Sequence, residues 1–456
     1  MEAAARPSPP DVSLGALLKL AWPLLVANLA VIGNATIDAV MAGRLSPEDM
    51  AGVAVGSSVY VTVYISFMAV LQALSPIAGH HHGAQRWQAI GDDLQQALWL
   101  SLLLYMAALP IVLATGFWTG VAALEGRVAQ ITADYLLAIA CGLPAGLATR
   151  VFVALNAAVS RPTATMVVNV AVVALKVPLN AVFMFGWGPI DPMGGAGAGL
   201  SSAVLAWVAV GLNVAIWKFD PFYRRFRSAR LRGPRWASLR ELLKLGIPIG
   251  LSTLFEVTSF TMMAVLIARL GAVSVAGHQI AANVAAILFM MPLSLGIATS
   301  VLVAQSLGSG APRVARSAAL RGLRLASTLG LITATLLWSF RDTVVRVYTH
   351  DPAVAAMALT LIGWVVVFHV FDAMQGMGTF ILRGYRQTFW PMVIYGVALW
   401  LMGLGGGYWI ALNATPVGPP RGAVGFWEAA TFAIGLAAVA VVSLALVESR
   451  RRIDAR

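Results

Sequence analysis

The chain has 456 residues, of which 59% are hydrophobic and 11% charged, and it carries a net charge of +12. A soluble domain of ordinary composition carries about 25% charge, and the shortfall here runs along the whole chain, which excludes a soluble protein with one anchor. The positive balance does not indicate nucleic-acid binding, because the arginines sit mainly in short loops beside apolar segments, the positive-inside pattern of a membrane protein.

Residues 1–13 (MEAAARPSPPDVS) lack the basic-then-apolar form of a cleavable signal and read as a disordered N-terminal tail. Apolar runs then follow at about 14–43, 49–78, 92–118, 128–159, 163–187 and 194–218. A basic linker at 219–237 intervenes. Six more runs occupy about 238–269, 275–306, 314–338, 352–383, 389–412 and 423–447, before a short tail at 448–456. Each run is long enough to cross a hydrocarbon core of roughly 30 Å as a helix. Apolar and polar residues do not alternate within them, which argues against a membrane β-barrel. The expected fold is therefore all-α and integral to the membrane, with twelve transmembrane helices.

The linker KFDPFYRRFRSARLRGPRWASLR is the most basic stretch and is placed in the cytoplasm. Six helices on either side put both termini there as well. Arg450, Arg451 and Arg452 of the tail agree, as do Arg313, Arg316, Arg321 and Arg324 after the eighth helix. The opposite loops carry fewer basic residues and more acids, Glu48, Asp49, Glu125, Asp191, Asp342 and Asp351, and the assignment is self-consistent at every loop except around Arg341 and Arg346. Cys141 is the single cysteine, so no internal disulfide and no thiolate metal cluster can form.

A shift of 225 residues aligns the two halves. Leu17-Leu18-Lys19-Leu20 and Pro23 fall on Leu242-Leu243-Lys244-Leu245 and Pro248. Arg44-Leu45 falls on Arg269-Leu270, Ala51-Gly52 on Ala276-Gly277, Gly83 on Gly308, and Arg161 with Thr163 on Arg386 with Thr388. An offset held across five helices indicates duplication. An even helix count makes the repeats parallel, an N-lobe at 14–218 and a C-lobe at 238–447. Such a pair suits a transporter with its site between two rocking lobes.

Ionised groups at the bilayer centre cost roughly 2.5–3.5 kcal/mol even on a lenient scale. Three acids lie well inside apolar runs: Asp38, Glu256 and Asp372. Asp134 lies nearer a helix end and reads as interfacial. The three break the repeat, aligning with Met263, Val31 and Leu147, so each lobe has been specialised. A carboxyl group in low dielectric can take or release a proton, or hold a metal cation once ionised. The alternative is an acid paired with a buried base.

Lys176 and Asn180 are four apart and share a helix face, which is expected to look at Asp38. A Lys176–Asp38 pair would occupy the place of an inorganic cation, as a switch or as a static clasp. Arg150 reads as a structural partner. His369, three residues before Asp372, is either a packing residue or a proton relay. His80-His81-His82 resembles a metal tract but falls in an expected loop with no carboxylate close in sequence, so a solvated loop is expected. Gln279 and Asn283 are one turn apart and either line a cavity or join helices. Phe289, Met290 and Met291 form either a soft wall for flat apolar ligands or ordinary packing. Pro23, Pro144, Pro178, Pro248 and Pro292 are candidate kinks.

Several of these elements resemble the multidrug and toxic compound extrusion (MATE) family. They are the run Ile37-Asp38-Ala39-Val40-Met41-Ala42-Gly43, the Lys176-x-Pro178-x-Asn180 element and Ala276-Gly277-His278-Gln279, within two six-helix repeats. Glu256 with Asp372 is similar to the NorM-type branch, and the resemblance covers roughly residues 14–447. It implies two lobes in a V and export of cationic, often aromatic drugs in exchange for H⁺ or Na⁺. It implies a monomer in a bacterial inner membrane, no cofactor and no tightly bound metal. It also implies a C-lobe cation site at Glu256 and Asp372, where Na⁺ can bind transiently, and an N-lobe site at Asp38 and Asn180. Phe368 and His369 stand where some relatives place a tyrosine ligand, and Lys176 where others have a neutral amide. Both remove oxygens that Na⁺ would need, which favours protons.

The main alternative is a lipid-linked oligosaccharide flippase of related architecture. Its cavity would need several basic groups for phosphates, and only Lys176 and Arg150 offer themselves. An enzyme is disfavoured because the sequence shows no metal-ligand pair at helical spacing, no nucleophile motif and no nucleotide loop. A channel is disfavoured by the long, kinked repeat halves.

Overall fold

The computed structural model describes residues 7–227, 232–414 and 418–455. In chain order its helices are α1 (Leu14–Gly43), α2 (Pro47–Leu71), α3 (Leu74–Gly83), α4 (Trp87–Leu113), α5 (Thr115–Val121), α6 (Gly126–Ala140), α7 (Leu143–Ala158), α8 (Pro162–Phe185) and α9 (Gly195–Phe219). After a 3-10 turn at Pro221–Phe226 come α10 (Trp236–Ala268), α11 (Ala272–Gly308), α12 (Pro312–Tyr348), α13 (Pro352–Gly384), α14 (Phe389–Tyr395), α15 (Gly406–Leu412) and α16 (Gly422–Asp454). Eleven runs are long and apolar enough to cross a bilayer. The twelfth is the pair α6 and α7, bent by 51°. The fold is all-α with twelve spans, as the apolar runs imply.

Breaks account for most differences from the expected spans. The second span is two helices, α2 and α3, and the fourth breaks between Ala140 and Leu143. Pro144 sits in the first turn of α7, where its missing N–H costs nothing, and so does not kink a helix interior. The eleventh span passes through a π-helical stretch at Gly396–Gly405 between α14 and α15. Its glycines tolerate the wider turn, and such stretches recur at functional sites. The last helix continues to Asp454 instead of ending at 447, and Arg452 Nε bonds Glu448 Oε1 at 2.8 Å, an i,i+4 pair that carries the helix past its apolar part.

The repeat is legible in backbone geometry. Gln85 (φ 56°) and Gly310 (φ 78°), 225 residues apart, both take the left-handed conformation at a helix end. At each, the next residue's N–H reaches back five residues: Arg86 N to His81 O at 2.9 Å and Ala311 N to Ser306 O at 2.9 Å. This double closure satisfies carbonyls that the helix end leaves unpaired. Ser160 (φ 58°) and Arg386 (φ 60°) repeat it, with Arg161 N to Asn156 O and Gln387 N to Leu382 O both at 2.8 Å. A Cβ at such a position costs roughly 1–2 kcal/mol. Gln85→Gly is therefore expected to stabilise the protein in detergent by about 1 kcal/mol, read as a raised thermal midpoint, and Gly310→Ala to destabilise it by a similar amount, read as a lowered one. Equal midpoints for all three proteins would refute the assignment of strain.

The chain divides into two compact units: an N-unit of residues 22–250 and a C-unit of residues 1–21 with 251–456. The divisions fall inside α1 and α10, not in the basic linker. Leu239, Leu242, Leu245 and Ile249 of α10 pack in the N-unit core with Leu71, Leu74 and Val70. Val12, Leu17 and Ala21 pack in the C-unit core with Leu295, Met377 and Ile381. Of the tail expected to be disordered, residues 1–6 lie outside the described residues. Residues 7–13 are ordered: Val12 is buried and its carbonyl accepts from Arg321 Nη1 at 2.9 Å.

The linker is likewise folded where described, residues 228–231 lying outside. Asp220 caps the 3-10 turn by accepting from Phe222 N at 2.8 Å. Tyr223 and Phe226 are buried in the N-unit core, and Tyr223 Oη donates to Asn156 Oδ1 at 2.8 Å. Further on, the Arg232 guanidinium pairs with Asp92 at 2.6 Å, and Gln96 of α4 bonds the backbone at both Gly233 and Arg235.

Candidate functional site

Each unit holds its own charged centre. In the N-unit, α1 supplies Asp38, α8 supplies Lys176 and Asn180, and α9 supplies Ser202. Lys176 Nζ lies 2.8 Å from Asp38 Oδ1, and Asn180 Nδ2 donates to the same oxygen at 2.8 Å. Lys176 Nζ also donates to Ser202 Oγ at 2.6 Å, which in turn faces Asp38 Oδ2 at 3.5 Å. The one-turn spacing of Lys176 and Asn180 brings both to one carboxylate, as the shared face implies. The Lys176 and Asp38 side chains are 2% and 11% exposed, so the pair is desolvated and each charge depends on the other. Asn180 Oδ1 is buried without a partner among the described residues.

Arg150 is held by a hydroxyl and not by an acid: its Nε donates to Tyr64 Oη at 3.0 Å, and Tyr64 donates onward to Gly146 O at 3.1 Å. Asp134 is exposed. The histidine tract is not a solvated loop. It closes α3, His80 Nδ1 lies 2.7 Å from Pro76 O, and His81 Nδ1 lies 2.6 Å from Asp93 Oδ2. The carboxylate is remote in sequence but adjacent in space because the chain reverses at Gln85.

In the C-unit, Glu256 (half-buried, α10) and Asp372 (buried, α13) stand within electrostatic reach of each other. Arg383 and Tyr395 lie within reach of Glu256. Tyr395 Oη donates to Gln375 Oε1 at 2.7 Å, and Gln375 Nε2 donates to Thr379 Oγ1 at 3.1 Å. Asp372, Gln375, Thr379 and Arg383 follow one another at three- and four-residue steps, so they form a polar stripe along one face of α13. That periodicity is visible in the sequence once Asp372 is taken as its start. Two acids in mutual reach repel when both are ionised, and a proton or a metal cation relieves that repulsion. Among the described residues no group of three His, Cys, Asp or Glu side chains forms a metal cluster, so a metal cation here would need neutral oxygens as well.

One turn from each acid, Phe260 and Phe368 meet Trp427 of α16. The three ring-centroid distances are 6.0, 6.2 and 5.8 Å, all edge to face, a favoured aromatic geometry. Phe368 offers no oxygen beside Asp372. His369 turns to α12, where its Nε2 lies 2.9 Å from Thr333 Oγ1. Its Nδ1 has no partner among the described residues, so neither nitrogen bonds Asp372.

The other candidate residues line α11. Gln279 and Asn283 are exposed, and Asn283 Oδ1 accepts from Tyr348 Oη at 2.7 Å. Phe289, Met290 and Met291 are half-buried, and Phe289 Cε2 stands 3.3 Å from where a Cβ on Gly376 would lie.

Large apolar side chains such as Phe117, Leu401, Phe432 and Val439 are more than half exposed, as expected where the solvent is lipid. Together with the duplicated backbone and a charged centre in each unit, this defines a multi-pass membrane protein of two repeated lobes. The chain matches the MatE family profile over residues 23–182 and 248–409. It therefore belongs to the MATE family. It is 41% identical to "Probable multidrug resistance protein NorM" of Aromatoleum aromaticum over 438 residues, 96% of this chain and 95% of that one. It is 32% identical to "Multidrug resistance protein MdtK" of Pectobacterium atrosepticum, over 96% and 95%. Among solved structures, the eukaryotic MATE transporter AtDTX14 superposes with a TM-score of 0.86 at 18% identity, over 96% and 97% of the two chains.

Proposed function

We propose that the protein is a multidrug efflux transporter of a bacterial inner membrane, with both termini cytoplasmic, exchanging outgoing organic cations for incoming protons. The observation that carries this is the acid pair Glu256–Asp372 in a membrane-spanning unit, within a family whose relatives are named as multidrug resistance proteins. Facing outward, the pair takes up a cation, which favours return and weakens the hold on the drug. Facing inward, release of that cation leaves carboxylates that attract an organic cation. The relevant cleft wall is assigned to Phe289, Met290, Met291, Gln279 and Asn283. Protons are favoured over Na⁺ because Phe368 brings no oxygen and because Lys176 fills the cation's place at Asp38. Asp38, Lys176 and Asn180 then act as a clasp across α1 and α8, and His369 positions α13 against α12.

The test is ethidium export from proteoliposomes under an imposed pH gradient or an imposed Na⁺ gradient. Export driven by the pH gradient alone is the expected result. Export driven by Na⁺ alone would replace the coupling ion. Movement under neither, with binding of lipid-linked sugars, would replace the antiporter by a flippase.

A further inference from the structure

Two arginines stack on aromatic rings of the linker: Arg225 of its 3-10 turn and Arg161 of the loop between α7 and α8. Arg225 Cζ lies 4.5 Å from the centroid of Trp87, 4.4 Å from Phe222 and 4.8 Å from Phe226. Arg161 Cζ lies 4.1 Å from the same Phe222 ring. Stacking of this kind uses the flat face of a guanidinium. It leaves the N–H edges, the part that forks onto oxyanions, free to point elsewhere. Neither arginine has a carboxylate within ion-pair distance among the described residues. The one acid of this segment, Asp220, is engaged at the start of the turn.

Two like charges are thus packed against one ring without a carboxylate counter-ion among the described residues. Burial first, and then the charge of Arg161, pull the Arg225 guanidinium below its usual value. Surface arginines that repel would normally splay into water; here the aromatic cage holds them together. Their depth is set by the spans: Arg161 lies between the end of α7 at Ala158 and the start of α8 at Pro162. A loop between two spans long and apolar enough to cross a bilayer is expected near the boundary of hydrocarbon and headgroup. Phe219 and Trp236, 75% and 70% exposed, flank the segment, as aromatic residues do at a membrane interface.

We propose that Arg161 and Arg225, held against the Phe222 ring, bind the phosphate group of an anionic phospholipid. Guanidinium forks match phosphate oxygens in pairs, and a lipid phosphate is the oxyanion that a site at this depth meets. The bound headgroup would supply the counter-charge that neither arginine finds among the described residues and tie the linker to the leaflet beside α8.

The experiment uses the full-length protein in detergent, titrated with phosphatidylglycerol, phosphatidylcholine or inorganic phosphate, with retained ligand read by native mass spectrometry. Phosphatidylglycerol is expected to be retained over phosphatidylcholine. Arg161→Gln should lower its retention about fivefold, the effect of one basic group near an anionic surface, and Arg161→Lys should restore part of it. Arg225→Gln should act in the same direction; if loss of the cage prevents folding, Arg161→Gln decides alone. Arg451→Gln, on the C-terminal helix, should leave retention unchanged. Wild-type retention in Arg161→Gln, an equal loss in Arg451→Gln, or no preference over phosphatidylcholine would overturn the site. Equally tight retention of inorganic phosphate would overturn the lipid as its ligand.

Discussion

Glu256→Gln and Asp372→Asn should each reduce gradient-driven ethidium export to the passive leak of protein-free vesicles. The shapes of the side chains are kept and only the ionisable group is removed, so folding should survive, with an unchanged melting profile as the control. Exchange of a monovalent cation such as ethidium for one proton moves no net charge, so each unit of pH gradient is worth about 1.4 kcal/mol, roughly a tenfold accumulation. Loss of the proton-binding group removes all of it. If both variants exported normally, the acid pair would have no part in coupling.

Removing one partner of the buried N-unit pair should be the most destabilising single change in that unit. Lys176→Met leaves Asp38 within the protein beside Asn180, with its basic partner gone. Breaking a buried pair in this way costs about 3–5 kcal/mol, whereas replacing both partners is often neutral. The double variant Lys176→Met with Asp38→Asn is therefore expected to recover most of the lost thermal stability in detergent. If the single variant melted with the wild type, the clasp would be energetically idle. Transport adds a separate readout: a static clasp predicts that the double variant still exports, and a coupling role for Asp38 predicts that it does not.

The spans were legible because hydrocarbon thickness writes its length directly into runs of apolar residues. The Lys176–Asp38 contact was legible for a related reason: charges are so rare inside these runs that few partners exist. What stayed hidden depended on three-dimensional proximity or on amphipathic detail. His81 finds Asp93 only because the chain reverses at Gln85. Tyr223 and Phe226, three apart in a strongly basic stretch, are the apolar face of a short turn, and the arginines around them mask it. Gln375, Thr379 and Arg383 carry no signal singly, although their spacing from Asp372 marks one face of α13.

The exchange of opening turns has a consequence for how such a chain could arise. The N-unit core is completed by Leu239, Leu242, Leu245 and Ile249 from the second repeat, and the C-unit core by Leu17 and Ala21 from the first. A half-length ancestor built this way would leave its own core open. It would have to close it with the first turns of a second copy, reciprocally, as in a domain-swapped dimer. Fusion of two such genes would make the exchange intramolecular. Once each copy had a fixed partner, Asp38 could be retained in one and Glu256 and Asp372 in the other, without either centre having to work twice.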